Sequence, residues 1–163
     1  MDFRVFVYGT LKTGEPNHHW LTNAENGLSR FLEKGRTKKK YPLVIGTMYN
    51  IPFLLDTPGV GHHVEGEIYE VDKKMLLTLD ILEDHPNFYK RRKEPVMLLE
   101  REELCWTYFL HKFRPEMLKK EMLVSYNSRG THNLPYIERY KRDPNLNYKS
   151  QVCTNEARTL EDL

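Results

Sequence analysis

The hydrophobic pattern of the chain begins with an almost continuously apolar run over residues 3–8. An apolar run of this length is typical of a strand that is covered on both faces. Gly9 ends the run, and the turn-forming residues Gly14, Pro16 and Asn17 follow. The pattern therefore predicts a central strand over residues 3–8 that ends in a sharp turn.

Further short apolar or alternating runs predict more strands along the chain. Residues 28–41 predict either one long, partly exposed strand or a strand followed by a loop. Short helices are expected at residues 17–21 and 115–123. The remaining predicted strands, of which the last two form a hairpin across a charged link, cover residues 42–46, 51–55, 63–71, 89–99 and 104–111.

The strongest helical signal follows Asp72, a residue type that caps helix N-termini. Apolar residues then recur at helical spacing up to Leu82. At about 100° per residue, Glu83 falls between Leu76 and Leu79 on the apolar stripe of this helix. The pattern therefore predicts a helix over residues 73–83 with an acid on its buried face.

An acid on a buried face is costly unless it is paired, hydrogen-bonded or protonated. Burial also raises the pKa of a carboxyl group toward the range that suits a general acid/base near neutral pH. Structural acids occupy such positions too, and a helix that ends before Glu83 would leave the side chain exposed. The pattern alone leaves the catalytic and the structural interpretations of Glu83 open.

Several strands interrupted by one strong helix, with no internal repeat, predict one α+β domain. We expect it to be largely antiparallel and to close, or half-close, into a barrel. The domain is placed over residues 1–140. Residues 141–163 are polar with little periodicity, which predicts a loosely held C-terminal tail.

Composition and charge indicate which partners and which cellular compartment to expect. Of the 163 residues 39% are hydrophobic, so a packed core is feasible, and the net charge of +2 gives no electrostatic reason to expect a nucleic-acid partner. No apolar run reaches the roughly 18–20 residues that span a bilayer, and the N-terminus lacks a secretory pattern. With two cysteines, Cys105 and Cys153, we expect a cytoplasmic protein without a disulfide framework and without a membrane partner.

Two features suggest binding chemistry. Gly9 lets a ligand approach backbone N–H groups closely, as in anion-binding loops, although most such glycines simply form turns. The pairs His18–His19 and His62–His63 resemble metal ligands, but adjacent side chains diverge on helices and strands alike. The sequence therefore predicts no metal site, and Cys105, inside an apolar run, is expected in the core.

An ordered set of motifs resembles the gamma-glutamyl cyclotransferase superfamily, and within it the members that act on gamma-glutamyl amines. The resemblance extends over residues 3–136. The matching segments are FVYGTLK at 6–12, PLVI at 42–45, NIP at 50–52, PG at 58–59, VEGEIYEVD at 64–72, LD at 79–80 with Glu83, and SYNSRG at 125–130.

This resemblance implies a small mixed, mostly antiparallel β-barrel with few flanking helices. It also implies an enzyme that uses no cofactor and no metal, and whose partner is a small-molecule gamma-glutamyl substrate; we expect a monomer. By position, Glu83 would be the catalytic acid/base, and Tyr8, Gly9, Thr10 and Leu11 would hold the glutamyl group. Tyr126 is a further candidate substrate-binding residue, with packing of its own loop as the equal alternative.

The implied reaction converts a gamma-glutamyl amine, notably gamma-glutamyl-epsilon-lysine, into 5-oxoproline and the free amine. The substrate's own alpha-amine attacks its gamma-carbonyl, and Glu83 accepts and then returns the proton. Two alternatives stay open at this point. The chain could act on gamma-glutamyl amino acids, or it could be a non-catalytic member of the fold that binds a ligand or a protein.

Overall fold

The computed structural model describes residues 1–154, in which a five-stranded barrel is flanked by a two-stranded sheet and two helices. No helix within these residues has the length and apolar character needed to cross a membrane. In chain order the strands and α-helices are β1 (Phe3–Val7), α1 (His19–Thr22), β2 (Ser29–Tyr41), β3 (Leu43–Gly46), β4 (Ile51–Leu54), β5 (His62–Val71), α2 (Lys73–Leu82), β6 (Tyr89–Met97) and β7 (Glu102–Leu110). Short 3-10 helices lie at Ala24–Asn26, Pro115–Lys119, Arg139–Lys141 and Tyr148–Gln151.

The barrel strands follow the order β1-β5-β2-β6-β7, and β7 closes the barrel against β1. The closing pair is parallel, with Val5 opposite Trp106, and the other four pairs are antiparallel. Strands β3 and β4 form the separate antiparallel pair. The predicted mixed, mostly antiparallel barrel with few helices is therefore confirmed, and residues 29–41 form one long strand.

Strand β1 contributes to two core clusters because successive side chains of a strand point to opposite faces. Phe6 belongs to the cluster that draws residues from all five barrel strands, together with the buried Cys105. Val5 and Val7 belong to the other cluster, which includes the buried face of α2. That face consists of Met75, Leu76, Leu79 and Leu82. The helix and the strand that leads into the glycine turn therefore contribute to one core cluster.

Both ends of α2 are defined by hydrogen bonds. The Asp72 carboxylate accepts from the Met75 N–H at 2.8 Å, as expected for a helix N-cap, and also from the Leu28 N–H at 3.1 Å. At the C-terminus the Glu83 N–H donates to the Leu79 carbonyl at 2.9 Å. Asp84 then adopts a left-handed backbone with φ of 52°, which turns the chain toward β6.

The expectation of a loosely held tail is wrong for residues 141–154. Val152 is buried, Cys153 forms a β-bridge with Phe113, and the Arg114 N–H donates to the Val152 carbonyl at 2.7 Å. The Asp143 N–H also donates to the Tyr49 hydroxyl at 3.0 Å. Isolated apolar residues anchor this segment, and they form no periodic pattern in the sequence. The rest of the predicted tail, residues 155–163, lies outside the described residues.

Candidate active site

A cavity lies where the end of β1 meets the end of α2. It contains about 660 Å³ of unoccupied space, part of it open to solvent. Four of its walls are the turn after β1, the start of β4, the end of α2 and the start of β6. A C-terminal segment completes the lining with Tyr136, Arg139, Arg142, Tyr148 and Lys149.

Glu83 lines this cavity from the end of α2. The helix ends at Leu82, but Glu83 keeps a helical backbone conformation, with φ of −88° and ψ of −2°. Its side chain therefore continues the apolar stripe that the spacing of Leu76 and Leu79 predicts. The early end of the helix does not leave Glu83 exposed on the surface; the residue is half-buried.

Burial raises the pKa of Glu83 to about 7, even though the positive charges of Arg139 and then Lys149 act to lower it. The residue retains partial exposure because the cavity opens to solvent, while protein atoms surround the carboxyl group. Among the described residues, no side chain donates a hydrogen bond to this carboxylate. A carboxyl with a pKa near 7 populates both protonation states at neutral pH, as a general acid/base requires.

The turn after β1 supplies another wall, with Tyr8, Gly9, Thr10 and Leu11 all lining the cavity. The Gly9 carbonyl accepts from the Lys12 N–H at 3.1 Å, which closes the turn. A side chain at Gly9 would place its Cβ 3.0 Å from the Pro52 side chain, so the close approach of β4 favours glycine here. The structure therefore brings the predicted turn and the predicted acid to one cavity.

Asn17, also in the opening motif, fastens this turn. Its N–H donates to the Thr10 carbonyl at 2.8 Å, and its side-chain amide donates to the Thr10 hydroxyl at 3.0 Å. The same amide donates to the Tyr136 hydroxyl at 2.9 Å. Asn17 thus joins the glycine turn to the C-terminal segment across the cavity.

A second network braces the cavity from behind Tyr8. The Tyr8 hydroxyl donates to the Tyr108 carbonyl at 2.7 Å, and the Tyr108 hydroxyl donates to Asp80 at 2.7 Å. Asp80 also accepts two hydrogen bonds from Arg91, at 2.7 and 3.0 Å. Burial first, and then the charge of Glu83, raise the pKa of Tyr8 well above its usual value, so its hydroxyl stays protonated.

Tyr126, the further candidate substrate-binding residue, lies outside this cavity. It is absent from the cavity lining and is buried in the barrel-core cluster, with its ring stacked on His132 at 6.2 Å between centroids. Its carbonyl accepts from the Lys12 ammonium at 2.5 Å. The alternative interpretation, in which the ring packs its own loop, fits this placement better, because the ring stacks on His132 of the same loop.

The C-terminal lining residues were missed by the sequence reasoning. Arg139, Arg142 and Lys149 bring positive charge to the cavity, and Tyr136 and Tyr148 bring aromatic rings. The available signal was the alternation of basic and aromatic residues in an otherwise polar segment. That alternation has neither a helical nor a strand period, so it does not predict which part of the fold the segment packs against.

The histidine pairs form no metal cluster. Among residues 1–154, no group of three or more His, Cys, Asp and Glu side chains is placed to hold a metal ion. The His18 ring contacts the Leu11 carbonyl at 2.9 Å, and the His63 ring contacts the Thr37 carbonyl at 3.0 Å. Both rings therefore have backbone partners of their own.

A comparison with protein families decides the relationship. The family described as gamma-glutamyl cyclotransferase, AIG2-like, matches residues 5–128. The chain belongs to this family. Membership confirms both the predicted superfamily and the predicted class of enzyme, a cyclotransferase. The match contains the glycine turn and Glu83 but ends before the C-terminal segment that completes the cavity.

Individual members of the family are similar over most of their length. A candidate gamma-glutamylcyclotransferase of Drosophila melanogaster is 55% identical, covering 87% of this chain and 90% of the relative. Gamma-glutamylaminecyclotransferase C of Danio rerio is 45% identical, covering 85% and 95%. The crystal structure of an AIG2-like protein from Mus musculus superimposes with a TM-score of 0.83 at 44% identity, covering 86% and 98%.

Proposed function

We propose that this AIG2-like cyclotransferase cleaves gamma-glutamyl amines, such as gamma-glutamyl-epsilon-lysine, into 5-oxoproline and the free amine. The observation that carries the proposal is the shared cavity, which is lined both by Glu83, with a pKa raised to about 7, and by the turn of residues 8–11. The 45% identity to the Danio rerio gamma-glutamylaminecyclotransferase supports the choice of an amine substrate.

The proposed reaction begins at the substrate's alpha-amine. The neutral alpha-amine attacks the gamma-carbonyl carbon of the same molecule with its lone pair, and Glu83, as a carboxylate, accepts the proton that the attacking nitrogen loses. A five-membered lactam ring forms as the new C–N bond closes. Protonated Glu83 then delivers the proton to the departing nitrogen, the old C–N bond breaks, and Glu83 is again a carboxylate.

Binding and orientation account for the rest of the chemistry. Because the nucleophile and the electrophile belong to one molecule, the site has mainly to fold the substrate into a ring-closing conformer. We assign the backbone N–H groups of Gly9, Thr10 and Leu11 to the alpha-carboxylate or to the oxygen that develops negative charge. Tyr8 cannot supply a proton readily, because its hydroxyl already donates to the Tyr108 carbonyl.

The proposal includes the setting in which the enzyme works. We propose a cytoplasmic monomer whose partner is a small gamma-glutamyl molecule rather than a nucleic acid or a membrane. The near balance of 25 basic and 23 acidic residues supports a partner other than a nucleic acid, since nucleic-acid-binding surfaces are strongly basic. Light scattering of the purified chain checks the oligomeric state, and a dimer mass would contradict it.

Gamma-glutamyl amino acids are the second candidate substrates. The 55% identity to the Drosophila melanogaster candidate gamma-glutamylcyclotransferase favours them. They present the same glutamyl group to the turn and to Glu83, and they differ only in the leaving amine. A non-catalytic binding role is the third possibility, and turnover of either substrate would exclude it.

The test is incubation with gamma-glutamyl-epsilon-lysine or gamma-glutamyl-alanine, with 5-oxoproline and the free amino acid quantified. Release of lysine and 5-oxoproline is expected, and Glu83→Gln should lower the rate by about 100-fold or more, since general acid–base catalysis contributes that much. Glu100→Gln, at an exposed position between β6 and β7, is the matched control and should keep full activity. Turnover of the alanine compound alone would favour gamma-glutamyl amino acids as the substrates. No turnover of either compound would refute the proposed enzymatic function.

A further inference from the structure

The three cations of the cavity differ in what already binds them. Lys149 pairs with Asp84 at 2.8 Å, and Arg139 donates to the Leu82 carbonyl at 3.3 Å. Arg142 uses its Nε to donate to the Ile137 carbonyl at 2.9 Å. Its Nη2 is buried and has no hydrogen-bond partner, and among the described residues no carboxylate forms an ion pair with it.

Three tyrosine rings hold the Arg142 guanidinium in place. Its central carbon lies 5.1 Å from the ring centroids of Tyr49 and Tyr136 and 5.3 Å from that of Tyr148. Two of the rings are themselves anchored, because the Tyr136 hydroxyl accepts from Asn17 and the Tyr49 hydroxyl accepts from a backbone N–H. The guanidinium is therefore fixed in position before any ligand arrives.

A fixed guanidinium with one buried, unpartnered nitrogen is suited to an acceptor that a ligand supplies. Leaving a buried charged donor without an acceptor is unfavourable, so a group that fills the position is bound strongly. Planar carboxylates match the geometry of guanidinium donors best. The chemistry of Arg142 thus selects a carboxylate at this end of the cavity.

The position of Arg142 distinguishes between the two carboxylates of the substrate. Arg139 donates to the carbonyl of Leu82 and Lys149 pairs with Asp84, so these two cations hold the chain neighbours of Glu83. Arg142 instead donates to the Ile137 carbonyl and lies against the rings of Tyr136 and Tyr148, which places it on the side of the cavity formed by the C-terminal segment. The glutamyl carboxylate belongs beside Glu83 and the turn, because the alpha-amine that Glu83 deprotonates is attached to the same carbon. The leaving amine extends away from that centre.

We infer that Arg142 binds the carboxylate carried by the leaving amine, so that the enzyme selects gamma-glutamyl compounds whose amine part is an amino acid. This inference rests on the proposed function and adds a specificity-determining residue to it. Gamma-glutamyl-epsilon-lysine has such a carboxylate. Gamma-glutamyl-cadaverine has the same chain length and the same terminal ammonium group but lacks the carboxylate, so the two form a matched pair of substrates.

The experiment compares kcat/KM for these two substrates. The unsubstituted enzyme should prefer the lysine compound, and Arg142→Gln should lose about 10- to 100-fold on it, mainly through KM, as expected for one charge-assisted hydrogen-bonded contact. The kcat/KM of Arg142→Gln for the cadaverine compound should differ from that of the unsubstituted enzyme by less than about threefold, since this substrate has no carboxylate for Arg142 to bind. Arg142→Lys, which keeps the charge, should restore part of the preference.

A control separates recognition from fastening of the C-terminal segment. Arg114 holds the same segment through a 2.8 Å hydrogen bond from its Nε to the Ser150 carbonyl, and it is absent from the cavity lining. Arg114→Gln should leave the ratio of the two kcat/KM values unchanged. Thermal melting of each variant checks that it is folded.

Four outcomes would overturn the inference. An equal loss on both substrates would place Arg142 at the glutamyl end or in a purely structural role, and no loss on either would show that it binds no substrate group. A changed ratio in Arg114→Gln equal to that in Arg142→Gln would attribute selectivity to the segment as a whole. An unsubstituted enzyme that releases no 5-oxoproline from either substrate would overturn the proposed function together with this inference.

Discussion

Replacing Glu83 by Gln should make the folded chain more stable at pH 8 while removing its acid/base group. Burial raises the pKa of Glu83 from an ordinary value of 4.5 to about 7 in the folded state. Between these two pH values the folded chain holds a proton that the unfolded chain has released. The free energy of unfolding therefore falls as the pH rises through this window, and the loss is complete above it.

The size of the effect follows from the two pKa values. At 1.36 kcal/mol for each pKa unit, the difference between 4.5 and about 7 corresponds to about 3.4 kcal/mol as an upper limit. Glu83 is half-buried and its cavity opens to solvent, so screening reduces the penalty. We expect Glu83→Gln to gain about 1–2 kcal/mol at pH 8 and nothing below about pH 4.

Urea unfolding at pH 4, 6 and 8 measures this difference. The unsubstituted chain is compared with Glu83→Gln and with the exposed control Glu100→Gln, whose stability should follow that of the unsubstituted chain at every pH. A Glu83→Gln variant that is no more stable at pH 8, or whose gain is the same at all three pH values, would refute the reasoning. The same raised pKa predicts that kcat/KM increases with pH through a midpoint of about 7.

Two further predictions concern the residues around Glu83. Asp80→Asn should destabilise the fold by about 2–3 kcal/mol, because it leaves the mostly buried Arg91 without its carboxylate partner and weakens the hydrogen bond that Tyr108 donates. Calorimetric melting measures this loss of stability, and an unchanged melting temperature would contradict the bracing role of Asp80. Arg139→Gln should move the midpoint of the kcat/KM profile to higher pH, because Arg139 is the larger of the two positive influences that lower the pKa of Glu83. A midpoint that stays in place would show that its charge does not reach the acid.

Local patterns predicted the parts of the site that depend on neighbours along the chain. The position of Glu83 on the apolar stripe of α2 follows from helical periodicity, which needs only the residues between Asp72 and Leu82. The strand that ends at the glycine turn follows from one apolar run and its breaker. The hairpin of β6 and β7 follows in the same way from two runs and a charged link.

Periodicity alone did not predict how these pieces meet. The parallel contact that closes the barrel joins β1 to β7, and the close approach of Pro52 to Gly9 leaves little room for a side chain at the turn. Tyr126 shows the same limit, since the sequence left a substrate-binding role and a packing role equally open and the fold places the residue in an apolar core. In each case the deciding contacts involve residues far apart in the chain.

The amino-acid pattern thus determined the elements, the family and the acid at the end of α2, because each depends on short-range periodicity or on an ordered set of local motifs. Tertiary structure decided the other half of the cavity. Residues 136–149 carry no regular pattern, yet their packing against Tyr49 and Asn17 fixes the guanidinium of Arg142 within the lining. Whether a charged side chain is paired or left open to a ligand depends on what the fold places around it, and no local pattern records that.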